Sequence, residues 1–272
     1  MKKYFIALIS VFFLISAFAQ KKKITSEELK PSDLSGLEFR SVGPAFMSGR
    51  IADIAINPEN ENEWYVAVGS GGVWKTVNSG TTWKPIADNE SFYSTGCITI
   101  DPHNTSKVWL GTGENVGGRH VGIGHGVYVS ENGGKSWKSM GLKSSEHISK
   151  IIVSPKDPNI VFVASQGPLW SSGGDRGLFK TNDGGKTWKN VLSVNEWTGV
   201  TDIVIDQLNP DILYAATWQR HRNVASYMGG GPGTSIYKST DHGKNWIEIK
   251  DGLPNSNLGK IGLAISPFDS TI

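Results

Sequence analysis

Two carboxylates in long, glycine-rich segments have the clearest capacity for chemistry in this chain. Glu114 begins the segment ENVGGRHVGIGH (114–125), and Asp175 lies near the end of QGPLWSSGGDR (166–176). Two carboxyl groups that face each other about 5–5.5 Å apart, or about 6.5–9.5 Å apart, can cleave a glycosidic bond with retention or with inversion. We therefore predict Glu114 and Asp175 as candidate catalytic residues, with simple solvation of acidic loop side chains as the alternative.

The same two segments, together with WQRHRNVASYMGGGPGT (218–234), carry aromatic and basic side chains. Flat aromatic rings complement the faces of sugars, while Arg and Asn side chains can satisfy hydroxyl groups. We predict a surface for a glycan or an extended peptide, formed by Asn115, Arg119, His120, Trp170, Arg176, Trp218, Arg220, His221 and Arg222. The alternative is that these side chains pack the loops against each other. The histidines lack the spacing of a metal site, so neither a metal nor a cofactor is predicted.

The elements that must position these segments follow from a repeat. Four octapeptides begin with Ser or Thr, have Asn or Asp third and Gly fifth, and end in Trp. They are TVNSGTTW (76–83), SENGGKSW (130–137), TNDGGKTW (181–188) and STDHGKNW (239–246). Their starts are 54, 51 and 58 residues apart, and a spacing of this size is typical of a repeat architecture.

Each repeat has the same order of parts: an apolar strand, a polar turn, a second strand, a variable loop, a third strand, the octapeptide and a fourth strand. Four short antiparallel strands per repeat are typical of a β-propeller blade, which must stack on its neighbours to bury both faces. We predict an all-β propeller with blades at about 42–92, 93–145, 146–197 and 198–258, and the start of a fifth at about 259–272. This would be an open arc of a larger propeller; a small closed ring is the alternative.

The octapeptide is predicted to be a structural staple. Its Asn or Asp can cap backbone N–H groups, its Ser or Thr can do so more weakly, and its Gly accepts a positive φ. The final Trp is expected to re-enter the blade and be buried. The octapeptides carry too few carboxylates for calcium. The residues assigned this role are Asn78, Trp83, Asn132, Trp137, Asp183, Trp188, Asp241 and Trp246.

These octapeptides resemble the Asp-box, or bacterial neuraminidase repeat. The order of parts is similar to that of sortilin-type propellers and of xyloglucan-hydrolysing glycosidases. In addition, GLEFRSVGPAFMSGRIADIAINP (36–58) and GSGGVWKT (69–76) resemble the N-terminal blade of large secreted bacterial proteins with such repeats. The resemblance covers residues 36–272 and implies a propeller fold. It is weak for activity, because the xyloglucan hydrolases carry a catalytic Asp where Ser48 stands, and Ser cannot act as a carboxylate base.

The ends and the charge of the chain bear on where it works. Residues 1–19 combine a charged start, an apolar run and Ala17-Phe18-Ala19, which predicts a cleaved secretory signal; residues 20–35 are a polar leader. The apolar run is short for a bilayer span, so no membrane span is expected after cleavage. The 27 basic and 25 acidic side chains provide no basic surplus for nucleic acid. We expect a bacterial protein that is secreted, periplasmic or at the cell envelope.

These patterns together predict a secreted propeller that binds a glycan or a protein through its variable loops, because such loops on a rigid scaffold usually carry binding residues. Its expected partners are a polysaccharide or protein ligand and the C-terminal remainder of the propeller. Two alternatives remain open: a glycoside hydrolase that acts on a polysaccharide, and a purely structural module of a larger secreted protein.

Overall fold

The computed structural model describes residues 30–36 and 49–267. The chain divides into two compact units, Met1–Phe46 and Met47–Ile272. The predicted signal segment and Ser48 lie outside the described residues.

The described part of the first unit is one turn of 3-10 helix, Pro31–Leu34. Its start is fixed by the backbone N–H of Lys30, which donates to the Asp33 carboxylate at 2.8 Å. Neither this turn nor any other described part of the chain provides a helix long and apolar enough to cross a membrane.

The second unit contains four antiparallel sheets of four strands, each built from one continuous stretch of chain. The first sheet comprises β1 (Ile51–Ile56), β2 (Trp64–Val68), β3 (Gly72–Thr76) and β4 (Lys84–Pro85). The second comprises β5 (Thr95–Asp101), β6 (Asn104–Thr112), β7 (Val127–Ser130) and β8 (Lys138–Ser139). The third comprises β9 (Ile148–Val153), β10 (Val161–Ser165), β11 (Gly177–Thr181) and β12 (Lys189–Leu192).

The fourth sheet comprises β13 (Thr198–Ile205), β14 (Leu213–Gln219), β17 (Ile236–Ser239) and β18 (Ile247–Ile249). A two-stranded hairpin of β15 (His221–Arg222) and β16 (Tyr227–Met228) is inserted between its second and third strands. The predicted all-β class and the four-stranded antiparallel sheets are thereby confirmed. We refer to the sheets as blades 1 to 4.

The hydrophobic core lies between the blades. Three buried clusters each combine side chains of two successive blades, as where Tyr65 of blade 1 packs with Leu110 and Tyr128 of blade 2. The clusters between blades 2 and 3 and between blades 3 and 4 are built in the same way. A blade therefore depends on its neighbours for most of its burial, which is the expected energetics of a stacked repeat.

The first strands of successive blades are also joined by polar side chains. The carboxylate of Asp53 in blade 1 accepts the backbone N–H of Ile98 in blade 2 at 3.1 Å. The carboxylate of Asp202 in blade 4 accepts the N–H of Leu263, in the fifth repeat, at 2.8 Å. The start of the fifth repeat is therefore attached to blade 4 by the contact that joins blade 2 to blade 1.

The octapeptide turns have one geometry in all four blades. In the third copy, the Thr181 hydroxyl accepts the N–H of Gly185 at 3.0 Å, and an Asp183 carboxylate oxygen accepts that of Thr187 at 2.9 Å. The equivalent pairs of bonds occur in the other three copies. The fourth and fifth residues of each copy have positive φ, which Gly at the fifth position accepts without strain. These contacts match the structural role predicted for the octapeptide.

Each octapeptide is also fastened to the turn between the first and second strands of its own blade. The fourth residue donates its N–H to a carbonyl of that turn, as from Gly184 to Asn159 at 3.0 Å and from Ser79 to Asn62 at 3.0 Å. The octapeptides and these turns consequently form one face of the unit. The loops between second and third strands, and the links between blades, form the opposite face.

The burial predicted for the octapeptide tryptophans is wrong in degree: Trp137, Trp188 and Trp246 are half-buried. Where hydrogen bonds of the rings are seen, they go to the preceding blade and not to their own. Trp137 donates its indole N–H to the carbonyl of Ile86 at 3.1 Å, and Trp188 donates to that of Met140 at 2.6 Å. Both carbonyls belong to the preceding blade. Trp83 of blade 1 has no preceding blade among the described residues and is 39% exposed. These rings therefore hold consecutive blades together.

Candidate ligand-binding face

The longest loops of the second unit lie on the face opposite the octapeptides, which we call the loop face. They connect β6 to β7, β10 to β11 and β14 to β17, and the last of them contains the β15–β16 hairpin. All residues predicted from the sequence for catalysis or ligand binding lie on these loops or at their strand ends. The loop face is therefore the candidate functional site.

Arg176 fastens the loop of blade 3. Its side chain is buried and donates to five backbone carbonyls, those of Gln166, Pro168, Ser171, Gly173 and Trp197. Burial lowers the pKa of this guanidinium to about 10, although nearby carboxylates oppose the shift. The group is still charged at neutral pH, and charged hydrogen bonds of this kind are the stronger ones. Arg176 thus holds the loop in one conformation.

Arg220 and Arg222 join the loops of three blades. The fully buried Arg220 of blade 4 donates to the carbonyl of Val116 in blade 2 at 2.8 Å and to that of Gly167 in blade 3 at 3.1 Å. Arg222 donates to the carbonyl of Gly117 at 2.9 Å. These bonds extend the blade 4 hairpin across blade 3 as far as the blade 2 loop.

Tyr227 completes the contact between the hairpin and the blade 2 loop. Its hydroxyl lies so close to Gly117 that a side chain at that glycine would overlap it. The Arg222 guanidinium lies 4.4 Å from the centroid of the Tyr227 ring, which is cation–π distance. The backbone N–H of Arg222 donates to the Leu169 carbonyl at 3.0 Å. Because Trp170 is the next residue after Leu169, the hairpin lies beside Trp170.

The members of the predicted binding set therefore have two kinds of environment. Arg176, Arg220 and Trp218 are buried and bonded within the loops. Arg119, His120 and Trp170 are exposed, whereas Asn115, His221 and Arg222 are intermediate. The buried members cross-link the face, in agreement with the packing alternative for those residues. The exposed members are the candidates for direct contact with a ligand, and that role stays a prediction.

The two candidate catalytic carboxylates are both bonded to protein groups. Glu114 is 2% exposed, forms a 2.6 Å ion pair with Arg50 and accepts the N–H of Gly122 at 2.9 Å. Asp175 is partly exposed and accepts the N–H of Ser144 at 2.9 Å. These contacts give both carboxylates a role in holding loops, and a catalytic role for either stays a prediction.

A polar cavity between the first strands includes residues that sequence reasoning missed. It has a volume of about 360 Å³, and its lining includes Asp53, Lys150, Asp202 and Lys260, with Asn115 from the blade 2 loop. The sequence signal was a charged residue within an otherwise apolar first strand, as in IADIAI and TDIVI. Both carboxylates accept backbone N–H groups of the adjoining repeat. Within the described part of the chain, no group of three or more His, Cys, Asp or Glu side chains could hold a metal ion.

His147 lies buried on the link between blades 2 and 3, near Arg220 and Arg176. Burial, followed by the charge of Arg220, lowers its pKa to about 3, against a hydrogen bond with the Glu114 backbone that opposes the shift. The carboxylate of Glu146 lies 3.9 Å from its Nε2 atom. His147 is therefore neutral in the folded protein at neutral pH.

We expect His147 to make the protein less stable in mild acid. Because the unfolded chain binds this proton at a pKa near 6.5 and the folded chain does not, stability is present above pH 6.5 and is lost as pH falls toward 3. The loss at pH 5 is about 2 kcal/mol. Urea unfolding at pH 7 and pH 5 measures it. His147→Gln should reduce the difference between the two pH values, whereas exposed His125→Gln should leave it unchanged; equal pH dependence in both variants would contradict this assignment.

A family model described as Sortilin-Vps10 (sortilin, neurotensin receptor 3) matches residues 125–269, slightly more than half of the chain. The chain belongs to the Sortilin-Vps10 family. The part that matches the Sortilin-Vps10 model includes blades 3 and 4, the buried arginines and the β15–β16 hairpin.

Curated relatives of this Sortilin-Vps10 chain include xyloglucanases. A probable oligoxyloglucan-reducing end-specific xyloglucanase of Neosartorya fischeri is 24% identical over 232 residues, which cover 78% of this chain and 25% of the relative. Xyloglucanase Xgh74A of Acetivibrio thermocellus is 26% identical over 228 residues. That match covers 72% of this chain and 25% of the relative. The chain thus spans about a quarter of the length of these relatives.

Solved structures support the fold. An ancestral GH74 enzyme superposes with a TM-score of 0.60 at 19% identity, covering 76% of this chain and 27% of that enzyme. The GH74 xyloglucanase of Xanthomonas campestris gives a TM-score of 0.54 at 17% identity, covering 75% of this chain and 30% of that enzyme. The resemblance to sortilin-type propellers and xyloglucan hydrolases, stated from the sequence, is confirmed.

Proposed function

We propose that this chain contributes four blades to a polysaccharide-acting propeller, and that its loop face binds the polysaccharide. We also propose that the protein works outside the cytoplasm, because residues 1–19 are predicted to be a signal segment. The observation that carries the proposal is a pair of exposed aromatic rings, Trp170 and Tyr227, held on cross-linked loops.

These two rings have the exposure and the support that sugar binding needs. Trp170 is 46% exposed and Tyr227 is 41% exposed, whereas Trp218 on the same face is buried. Tyr227 packs against the Arg222 guanidinium, and Trp170 follows Leu169, whose carbonyl accepts the Arg222 backbone N–H. The backbone and side chain of Arg222 thus join the blade 4 hairpin to the loops of blades 3 and 2. A surface that is already ordered loses little conformational entropy when a ligand binds, and aromatic rings supply most of the contact area.

The relatives support a polysaccharide as the ligand class, because those reported above are named xyloglucanases. They also favour a second candidate function, hydrolysis of a polysaccharide by the whole protein. For that function we predict Glu114 or Asp175 as acid, base or nucleophile. The ion pair of Glu114 with Arg50 favours recognition over catalysis at this position.

The polysaccharide proposal is tested by binding and by sugar release in one experiment. We would measure retention of the protein on neutral and acidic polysaccharides and quantify released reducing ends. Trp170→Ala should weaken binding about tenfold, as expected for loss of an aromatic anchor. Trp83→Ala is the matched control, because this ring is similarly exposed but lies on the octapeptide face.

The possible outcomes separate the two functions. Binding that is lost in Trp170→Ala and kept in Trp83→Ala, without sugar release, supports recognition. Sugar release that disappears in Glu114→Gln or Asp175→Asn establishes the hydrolase. Absence of both binding and release with every polysaccharide would overturn the proposal.

A further inference from the structure

Four basic residues of the loop face, Arg119, His120, His221 and Arg222, form no ion pair with a carboxylate among the described residues. We call them the basic patch. Arg222 connects its parts: its guanidinium reaches the carbonyl of Gly117, two residues before Arg119, and it follows His221 in β15.

Four acidic residues of the loop face have partners outside the basic patch. Glu114 is paired with Arg50, and Asp175 accepts the N–H of Ser144. Glu146 and Glu196, on the links between blades, act electrostatically on the buried guanidinium of Arg176, and Glu146 also acts on that of Arg220. Asp88, Glu90 and Asp251 lie on the other links, and no carboxylate of the described residues forms an ion pair with the basic patch.

The side chains of the basic patch thus have no acidic partner among the described residues. Arg119 is exposed, and within the described residues its side chain forms no hydrogen bond or ion pair. His120 is likewise exposed. The side-chain hydrogen bonds of Arg222 both go to the neutral carbonyl of Gly117, so no carboxylate balances its charge. The exposed guanidinium of Arg119 can still donate paired hydrogen bonds to a planar carboxylate.

From these basic side chains without an acidic partner we infer that the polysaccharide bound on the loop face is an acidic one, with uronate-type carboxylates that contact Arg119 and Arg222 while its sugar rings stack on Trp170. The inference rests on the proposed function and narrows its ligand class. A neutral glycan would use the aromatic rings but would leave the guanidinium groups without an acceptor of opposite charge.

The test compares two polysaccharides on the full chain. Polygalacturonate is the acidic probe and xyloglucan the neutral one, with binding measured by affinity electrophoresis at low and at moderate salt. We expect tighter binding of polygalacturonate, weakened by salt because the contact is between exposed charges. Arg119→Gln should weaken the binding of polygalacturonate about tenfold, and Arg119→Lys should recover part of the loss.

The matched control for Arg119→Gln is a charge removed from the opposite face. Lys135→Gln removes an exposed charge from the second octapeptide, on the opposite face, and should leave binding unchanged. An unaltered urea midpoint in Arg119→Gln shows that the fold is intact. Equal or tighter binding of xyloglucan, or equal losses in Arg119→Gln and Lys135→Gln, would overturn the inference and leave the proposed function standing. Failure to bind either polysaccharide would overturn both.

Discussion

Replacing Trp188 by Ala is expected to lower the free energy of unfolding by about 3–5 kcal/mol. The ring packs edge-on against the fully buried Trp109 of blade 2, with centroids 6.5 Å apart, and its N–H is bonded to the Met140 carbonyl. The variant therefore loses apolar contact and leaves a carbonyl without its donor, both at the interface of two blades. Urea unfolding followed by tryptophan fluorescence and circular dichroism measures the change.

Trp83→Ala provides the matched comparison for that result. Trp83 occupies the same octapeptide position, but it is 39% exposed and contacts Trp64 of its own blade, at 6.3 Å between centroids. Its replacement should cost less than about 1.5 kcal/mol. Similar losses in the two variants would show that the tryptophans stabilise their own turns and do not join blades.

The second large effect is expected at Arg176. Arg176→Met keeps much of the side-chain volume but removes the donors to five backbone carbonyls. Because buried acceptors without a partner are costly, the free energy of unfolding should fall by about 3–5 kcal/mol. Hydrogen exchange of the loop between β10 and β11 should accelerate as well, since this loop depends on the guanidinium for its conformation.

Arg119→Met is the control for this prediction. It removes the same charge from an exposed site on the loop face and should change stability by no more than about 0.5 kcal/mol. If Arg176→Met were equally harmless, the carbonyls would have found other donors, and the cross-linking role of Arg176 would be wrong.

Burial separates two groups of arginines that look alike in the sequence. Arg119 and Arg176 each lie in a glycine-rich loop, and both were predicted to bind a ligand. Arg176 is enclosed by the backbone of its own loop, whereas Arg119 has no described partner. Only the fold distinguishes them, because a guanidinium can donate to backbone carbonyls as well as to carboxylates.

Much of the architecture could be predicted because it is repeated. The octapeptide pattern specifies its turn locally: a capping Asn or Asp, a Ser or Thr hydroxyl, and a Gly with positive φ occur within eight residues. The alternation of short apolar strands and turns likewise predicted four-stranded blades. The direction of Trp188 toward the preceding blade was not predicted, because that contact joins residues 48 positions apart.

The candidate site was predicted less well, because its contacts also join residues that are far apart in the sequence. The sequence located the loops that carry it, since their lengths vary between otherwise similar repeats. It did not indicate that Glu114 would pair with Arg50, 64 residues earlier in the chain, or that Arg220 would reach Val116, 104 residues away.

The sequence by itself therefore determined the all-β class, the repeat, the octapeptide turns and the loop face, because each depends on contacts within one repeat. The tertiary structure decided which loop residues are buried and which are exposed, because that depends on how loops of blades 2, 3 and 4 meet. Arg176 and Arg220 are structural by burial, and Arg119 and Trp170 stay accessible to a ligand, although all four residues lie in similar segments.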